Sequence, residues 1–235
     1  MKKVLIVVPQ TNELEPLMAG LRRRGHPTRS EAIGSVKCFA IPSLAMIAAV
    51  GGHGKVQLGV QSQYLIDRID ELGVLLCVGA AGSLTPECKF GDVVVATNTV
   101  EHDYRLRFVQ SNSPSHPGDP KLIDELRFAA NGGGLPFGVH FVPVASGDED
   151  IVDGARAAEL RRLTGGLCVA WEGAGGARAA SFNGLGFLEI RGITDGADAD
   201  ACASFHANCA VAMPNVADLL VRWRLTSGAS RVTQS

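Results

Sequence analysis

Seven short runs of almost uninterrupted hydrophobic residues recur along the chain, and most of them do not alternate with polar residues. A strand that is covered on both faces has this continuous pattern, because neither of its faces meets water. We therefore predict a mainly parallel central sheet. Its strands are expected at residues 4–8, 44–50, 74–78, 93–96, 139–144, 167–171 and 187–190.

Helix-like segments lie between these runs. They are predicted at residues 13–24, 56–72, 120–130, 155–163, 172–182 and 205–223. Gly25 and Gly73 follow the first two and are expected to end them, since glycine readily adopts the left-handed conformation that closes a helix. The alternation of strands and helices predicts an α/β fold, a single three-layer α/β/α domain around a central mixed, mostly parallel twisted sheet.

The ends of segments are also informative. The domain is expected to cover residues 1–223, and the polar residues 224–235 are expected to form a flexible tail. Residues 105–119 are polar and contain Pro114 and Pro117, which predicts an irregular surface loop and a candidate lid.

Composition narrows the class of protein. The chain has 235 residues, of which 46% are hydrophobic and 20% charged, with a formal net charge of -2. No basic face is evident, so a small molecule is a better expected partner than nucleic acid. The apolar run after Met1 is too short for a signal peptide or a membrane span. We expect a soluble cytoplasmic protein without a membrane partner.

The six cysteines are widely spaced and include no CxxC pair. Buried, reduced thiols are therefore the expected state, and neither a metal site nor a cofactor is predicted.

Carboxylates and glycines are concentrated directly after the predicted strands. Glu13, Glu172 and Asp195 follow the first, sixth and seventh strands. Glycine-bearing turns follow three others, at residues 51–55, 79–83 and 146–150. In open α/β sheets ligands bind beyond the carboxyl ends of the strands, so these groups are expected to meet at one edge. Ionisable groups crowded at an apolar edge are costly unless they bind or react with something.

Each of these features has an ordinary structural interpretation when it is taken alone. A glycine turn is more often a tight connection than a ligand cradle, Glu172 could stabilise a helix N-terminus, and Asp195 could cap a turn. The glycine turn that ends at Lys55 is not a Walker A loop, because Val56 replaces the required Ser or Thr. Only the combination favours a functional site.

The order and spacing of six motifs resemble the nucleoside phosphorylase superfamily, and within it the methylthioadenosine/S-adenosylhomocysteine nucleosidases. The motifs are Gly-His-Gly-Lys at 52–55, Gly-Ala-Ala-Gly-Ser-Leu at 79–84, Gly-Asp-Val-Val-Val at 91–95, Ser-Gly-Asp at 146–148, Trp-Glu-Gly-Ala at 171–174 and Arg-Gly-Ile-Thr-Asp-Gly-Ala-Asp at 191–198. The resemblance extends from Val4 to about Leu220 and implies cleavage of the N-glycosidic bond of a purine nucleoside.

The resemblance implies a role for each carboxylate. Asp195 matches the general acid that protonates N7 of the purine, Glu172 matches the carboxylate that holds the ribose hydroxyls, and Glu13 matches the carboxylate that activates water. The chemistry agrees, because an oxocarbenium-like sugar needs an acid for the departing base and a base for the water. Asp195 must then be protonated, which an apolar pocket favours.

Water is expected as the nucleophile in place of phosphate. Phosphorylases of the superfamily bind phosphate through two arginines and a serine, and this chain carries Gln10 within a Pro-Gln-Thr-Asn run, Cys77 and Ala80 at the matching places. A phosphate dianion would be poorly compensated without those donors.

The resemblance also indicates which residues surround the substrate. Ser146, Asp148, Asp150 and Ile151 are expected at the base, and Trp171 joins Glu172 at the ribose. Asp150 replaces an aromatic residue of the adenine-specific nucleosidases, and Trp171 is either a stacking face or a core residue. The turn residues expected to line the site are Gly52, Ala80 and Gly82.

Arg105, Arg107 and Phe108 are candidates for the 5′ end of the nucleoside. An anionic 5′ substituent would suit the arginines, as in the futalosine hydrolases, whose 6-oxopurine nucleoside carries a carboxylate. A merely solvated loop is the alternative.

The leading hypothesis is thus a purine nucleosidase. A phosphate-dependent purine nucleoside phosphorylase, a futalosine-type hydrolase and a non-catalytic nucleoside-binding protein remain as alternatives. The resemblance further implies a homodimer or a larger homo-oligomer in which a neighbour completes the 5′ pocket. The helix surface at residues 56–69 is a candidate interface, although it could equally pack on the sheet.

Overall fold

A computed structural model describes residues 2–109 and 111–232, with side chains up to residue 227. The strands are β1 (Lys3–Val8), β2 (Arg29–Ile33), β3 (Val36–Ile41), β4 (Met46–Val50), β5 (Leu72–Ser83), β6 (Val93–Glu101), β7 (Ser115–Pro117), β8 (Val139–Ser146), β9 (Cys168–Ala170) and β10 (Gly186–Asp195). The helices are α1 (Thr11–Arg23), α2 (Lys55–Ile66), α3 (Pro120–Asn131), α4 (Gly154–Thr164), α5 (Gly173–Phe182) and α6 (Ala201–Val232).

The strands form one mixed sheet in the order β10-β6-β8-β9-β5-β1-β4-β3-β2, with β7 on β6. Strand β5 pairs in parallel with β1 and with β10, and β1 pairs in parallel with β4. Because β10 pairs with β6 as well as with β5, one half of the sheet closes on itself. The long strands β5 and β10 thereby bring their carboxyl ends next to each other.

Helices cover both faces of the open half of the sheet. Alternate residues of β1 point to opposite sides, so that Ile6 packs in the core beneath α1, α3 and α6, whereas Leu5 packs beneath α2 and α5. This alternation follows from the two-residue period of a strand. The arrangement confirms the predicted single α/β domain with three layers and a mixed sheet.

Helices α1 and α6 cross at very short range. A Cβ atom at Gly20 of α1 would lie only 2.7 Å from Cβ of Ala217 in α6. Glycine therefore permits this crossing, which fixes α1 against the core. Helix α1 carries Glu13, so the crossing also contributes to the placement of a candidate catalytic group.

The prediction of one helix over residues 56–72 is wrong at its end. Helix α2 stops at Ile66, and Gly73, the expected stop signal, lies inside β5. The left-handed residue before β5 is Glu71, with a φ of 60°. The run of hydrophobic residues that begins at Leu72 belongs to the strand. Gly25, with a φ of 82°, does follow the end of α1 as predicted.

Three strands were not anticipated. They are β2, β3 and β7. Strands β2 and β7 contain few buried residues. Strand β3 pairs antiparallel with β4 and with β2, which ends the sheet. Edge strands lack the continuous hydrophobic run because one side of them faces water. Strand β7 lies within the segment predicted as an irregular loop, residues 105–119.

The predicted domain end at Trp223 falls inside α6, which continues to Val232. Trp223 is buried and donates from Nε1 to Glu125 Oε2 at 2.7 Å, and Arg224 is buried and donates from Nε to the Leu44 carbonyl at 2.7 Å. Residues 224–232 are thus helical, and the predicted tail residues 233–235 lie outside the described chain. Among the described residues, no helix combines the length and apolar character that crossing a membrane requires.

Candidate active site

Glu13 lies at the start of α1, immediately beyond the carboxyl end of β1. One carboxylate oxygen, Oε2, accepts the N–H of Gln10 at 2.9 Å, as a capping glutamate does in a helix N-terminus. The other, Oε1, accepts the N–H of Ala80 in β5 at 2.7 Å. The second bond is not part of a helix cap, and it holds the carboxylate against the neighbouring strand.

Burial raises the pKa of Glu13 to about 7. The hydrogen bond from Ala80 and the charge of Arg191 oppose this increase, whereas the nearby Glu172 reinforces it. A carboxylate with a pKa close to neutrality can accept a proton from water much more effectively than an ordinary surface glutamate.

Glu172 follows β9 and precedes α5. Its Oε1 accepts the N–H of Gly54 at 3.3 Å, and its Oε2 accepts from Arg191 Nη2 at 3.4 Å. The side chain is almost completely buried, and His53 Nδ1 lies 3.6 Å from Oε1. The glycine turn at residues 51–55 thus binds Glu172. The sequence predicted that this turn and Glu172 meet at one edge of the sheet.

Arg191 of β10 is a buried cation that the sequence analysis did not assign to the site. Its Nε donates to Glu189 Oε1 at 2.8 Å, and Nη1 donates to the carbonyl of Ala80 at 3.3 Å. Together with the bond to Glu172, these contacts balance the negative charge of the carboxylates. A signal was present, since Glu189 and Arg191 alternate within an otherwise apolar buried strand and such charges must be paired.

Glycine is required where this cation approaches Glu13. A Cβ atom at Gly79 would lie 2.6 Å from Arg191 Nη1 and 2.8 Å from Glu13 Oε1. The predicted glycine turn after β5's apolar run is therefore a close approach of backbone to two charged groups. It is more than a tight connection.

Asp195 ends β10 and lies opposite Gly82 of β5. Its Oδ1 accepts the N–H of Ala197 at 3.0 Å, and its Oδ2 accepts the hydroxyl of Thr194 at 2.9 Å. Burial raises the pKa of Asp195 above its ordinary value, and the charge of Asp198 acts in the same direction. A Cβ at Gly82 would lie 2.6 Å from Oδ1, so this glycine leaves room for the carboxyl group.

A cavity of about 350 Å³ joins these groups. Of the predicted site residues, those that line it are Glu13, Ala80, Gly82, Asp150, Ile151, Trp171, Glu172 and Asp195. Its volume falls within the range of small-molecule sites. Larger cavities exist elsewhere, but none of these carboxylates lines them.

Glu13 and Asp195 both lie beside β5. The carboxylate of Glu13 accepts the N–H of Ala80, and the backbone of Asp195 pairs with Gly82, two residues further along the strand. Ala80 and Gly82 line the cavity together with both carboxyl groups. The two carboxyl groups therefore border the same space.

The model of the phosphorylase superfamily matches residues 3–223. The chain belongs to the phosphorylase superfamily.

Several characterised members of the superfamily are similar to this chain. A 5′-methylthioadenosine/S-adenosylhomocysteine nucleosidase from Mycobacterium bovis is 28% identical over 188 residues, which cover 68% of this chain and 73% of the relative. An aminodeoxyfutalosine nucleosidase from Campylobacter jejuni is 27% identical over 182 residues, covering 74% and 77%. The structure of the 5′-methylthioadenosine/S-adenosylhomocysteine nucleosidase from Neisseria meningitidis, in complex with methylthio-immucillin-A, has a TM-score of 0.82 at 25% identity and covers 97% of this chain and 100% of its own.

Two predicted base-binding residues do not line the cavity: Ser146 is buried and Asp148 is exposed. Ser146 Oγ donates to the Trp171 carbonyl at 2.9 Å and accepts the N–H of Ala174 at 3.0 Å, so it fixes the start of α5. Asp148 Oδ1 accepts the N–H of Lys55 at 2.9 Å, so it caps the start of α2. Neither side chain is among those that line the cavity. Both hold the turns that carry Glu172 and Gly54.

Four further predicted site residues do not line the cavity of this chain. Arg105, Arg107 and Phe108 are exposed, and Phe108 makes essentially no contact that shields it from solvent. Gly52, with a φ of 87°, shapes the turn before α2 without lining the cavity. The loop residues belong to the chain's surface because no described element packs over them.

One cluster in the described chain has the ligand types of a metal site. Cys88, Asp92 and His140 bring their ligand atoms within 4.8 Å of one another. None of the three lines the cavity, and His140 Nε2 already lies 2.9 Å from Asp92 Oδ2. Five of the six cysteines are buried, as predicted, whereas Cys202 is exposed.

Proposed function

We propose that this superfamily member is a purine nucleosidase that hydrolyses the N-glycosidic bond with water as the nucleophile. The observation that carries the proposal is the pair of buried carboxyl groups, Glu13 and Asp195, which lie beside the neighbouring β5 residues Ala80 and Gly82 and line one cavity. The named nucleosidases to which the chain is similar support the same reaction.

The reaction needs two proton transfers. Asp195 donates its proton to N7 of the base while the bond between the base and C1′ breaks. Glu13 accepts a proton from water, and the remaining hydroxide bonds to C1′ of the sugar. The products are the free base and the free sugar, and the two carboxyl groups have exchanged protonation states. Solvent restores them before the next turnover.

Glu172 and Arg191 prepare the sugar side of the site. The carboxylate of Glu172 accepts hydrogen bonds from the ribose hydroxyls, and the guanidinium of Arg191 orients that carboxylate. The carboxylates of Glu13 and Glu172 are negative, whereas the oxocarbenium-like sugar is positive. The site therefore stabilises the transition state more than the neutral nucleoside.

Electrostatics disfavour phosphate as the nucleophile. The amide of Ala80, which could bind an anion, already binds Glu13, and Glu172 lies close by. The guanidinium of Arg191 contacts β5 and Glu172, but it is already paired with Glu189 and Glu172. A phosphate dianion would therefore meet two carboxylates and no free cation among the described residues that line the cavity.

We assign the base to the end of the cavity near Asp195, where Asp150 and Ile151 form part of the wall. A carboxylate at position 150 accepts hydrogen bonds, so it favours a base that presents N–H groups there. The ring of Trp171 faces His53, with ring centroids 4.2 Å apart, so that Trp171 belongs to the ribose side.

The proposal includes a homo-oligomer in the cytoplasm. The exposed loop contains the apolar residues Tyr104, Leu106, Phe108 and Val109, and α2 exposes Val56 and Val60. Exposed apolar residues grouped in this way are typical of protein interfaces. Helix α2 still packs its opposite face, including Leu58 and Leu65, on the domain core.

The proposed function is tested with a panel of nucleosides, namely adenosine, inosine, methylthioadenosine and futalosine, assayed for free base with and without phosphate. We expect base release from at least one of them without phosphate. Strict dependence on phosphate would establish a phosphorylase instead, and a bound nucleoside that survives incubation intact would establish a binding protein.

A further inference from the structure

Gln10 and His53 form a polar contact beside the catalytic carboxylates. Gln10 Nε2 lies 3.2 Å from His53 Nδ1, and both residues line the cavity. The backbone N–H of Gln10 binds Glu13, and His53 Nδ1 lies 3.6 Å from Glu172 Oε1. The pair is therefore joined to the two groups that act on the sugar and not to Asp195, whose contacts are Thr194 and Ala197.

This position corresponds to the 5′ end of a bound nucleoside. The argument rests on the proposed function, in which Asp195 contacts the base and Glu172 holds the ribose hydroxyls. The 5′ carbon is attached to the ribose on the side away from the base. A group at that carbon extends beyond Glu172, where His53 Nδ1 lies 3.6 Å from Glu172 Oε1 and Gln10 contacts His53 in the cavity lining.

The pair can donate hydrogen bonds into the cavity. When Gln10 donates through Nε2, His53 accepts at Nδ1 and carries its proton on Nε2. No described residue binds that Nε2, and half of the His53 side chain is exposed. The ring is held against Trp171 at an interplanar angle of 38°, so its orientation is restricted before a ligand binds.

We infer that Gln10 and His53 select a nucleoside whose 5′ substituent accepts hydrogen bonds through oxygen, such as a hydroxyl or a carboxylate, over one with an alkylthio group. A thioether sulfur is a weak acceptor, so its binding would remove water from two polar groups and leave them unsatisfied. An oxygen acceptor would satisfy them.

The test compares substituents on one base. The substrates are adenosine, 5′-methylthioadenosine and adenosine-5′-carboxylic acid, with a parallel series on inosine. In the wild-type protein we expect kcat/KM for the better of the two oxygen substituents to exceed that for the methylthio compound by at least about tenfold. In Gln10→Met and His53→Leu proteins this ratio should fall by about tenfold to a hundredfold.

His26→Leu is the matched control, because His26 follows the far end of α1 and contacts Ser43. It should leave the ratio unchanged. A wild-type preference for the methylthio compound, or a ratio that the Gln10 and His53 variants do not alter, would overturn the inference.

A binding measurement separates this inference from the proposed function. The Asp195→Asn protein is titrated with the same nucleosides by calorimetry, which requires no turnover. If the wild-type protein cleaves no nucleoside but the oxygen substituents bind more tightly to Asp195→Asn, the proposed function fails and the inference stands. If nucleosides are cleaved but the methylthio compound binds as tightly as the others, only the inference fails.

Discussion

The two carboxyl groups that we propose as catalytic, Glu13 on α1 and Asp195 on β10, lie beside the same strand, β5, in environments of different kinds. Glu13 receives two backbone N–H groups and lies close to the buried guanidinium of Arg191. Asp195 receives one N–H and one hydroxyl, and the nearest charge that influences its pKa is that of Asp198, which is negative. Burial acts on both, but only Glu13 has a cation that favours its ionised form.

The difference bears on the opposite tasks that we propose for the two side chains. A carboxyl group that acts as an acid must keep its proton until the base departs, and one that acts as a base must lose it first. The Arg191 charge lowers the cost of ionising Glu13, whereas no cation lowers it for Asp195. The predictions below test this division of roles.

Replacement of Asp195 by Asn should cause the largest loss, about a hundredfold to ten-thousandfold in kcat. The amide keeps the shape of the side chain but has no acidic proton for N7. The measurement is base release by the purified variant, with circular dichroism to verify the fold. Asp200→Asn, an exposed neighbour, serves as control and should remain active. Full activity of Asp195→Asn would exclude it as the general acid.

Glu13→Gln should lose roughly a hundredfold in kcat, toward the lower end of the effect of a general base. The amide cannot accept the proton of water, although the oxocarbenium-like sugar is still reactive enough to add water slowly. The matched control is Glu15→Gln, because Glu15 is exposed on the same helix and does not line the cavity. Equal losses in the two variants would show that the effect arises from α1 and not from the carboxylate.

The pH dependence follows from the pKa of about 7 at Glu13. Since the base must be ionised, kcat/KM should decrease about tenfold per pH unit below pH 7 and level off above it. Asp195 acts in its protonated form and burial raises its pKa, so its deprotonation should reduce the rate as pH increases. In Glu13→Gln the decrease in kcat/KM below pH 7 (the acidic limb) should disappear. The decrease caused by deprotonation of Asp195 should remain. An unchanged acidic limb would assign that ionisation to another group.

The smallest effect is expected for Lys55→Met. Lys55 begins α2, and its Nζ forms ion pairs with Glu101 at 2.9 Å and with Asp103. These bonds fix the turn whose Gly54 N–H binds Glu172. We expect KM to increase several-fold while the pH limbs stay in place, because ribose binding is altered and neither proton transfer is. Lys121→Met is the exposed control. A shift in the pH at which kcat/KM begins to decrease would show that Lys55 influences the ionisation of Glu13 directly.

The sequence predicted the site's carboxylates better than its surroundings. Glu13, Glu172 and Asp195 were found because each directly follows a hydrophobic run, and parallel strands bring such positions together. The same rule predicts the layers of the fold. These features depend on the local pattern of hydrophobic and polar residues, which the sequence shows directly.

Contacts between distant segments could not be predicted in the same way. Ser146 was expected at the base, but its hydroxyl is used to fix the start of α5. Arg191 was part of a recognised motif, yet its partners Glu172 and Ala80 are distant in sequence. The edge strand β2 has too little buried surface to produce a hydrophobic run. In each case the three-dimensional neighbour determines the role.

Gly79 has a consequence for how this site can change over generations. Even the single methyl group of alanine would lie 2.6 Å from the guanidinium of Arg191 and 2.8 Å from the carboxylate of Glu13. A substitution of this glycine therefore displaces a cation and a carboxylate at once. A lineage that replaced Gly79 would have to move both charged side chains together.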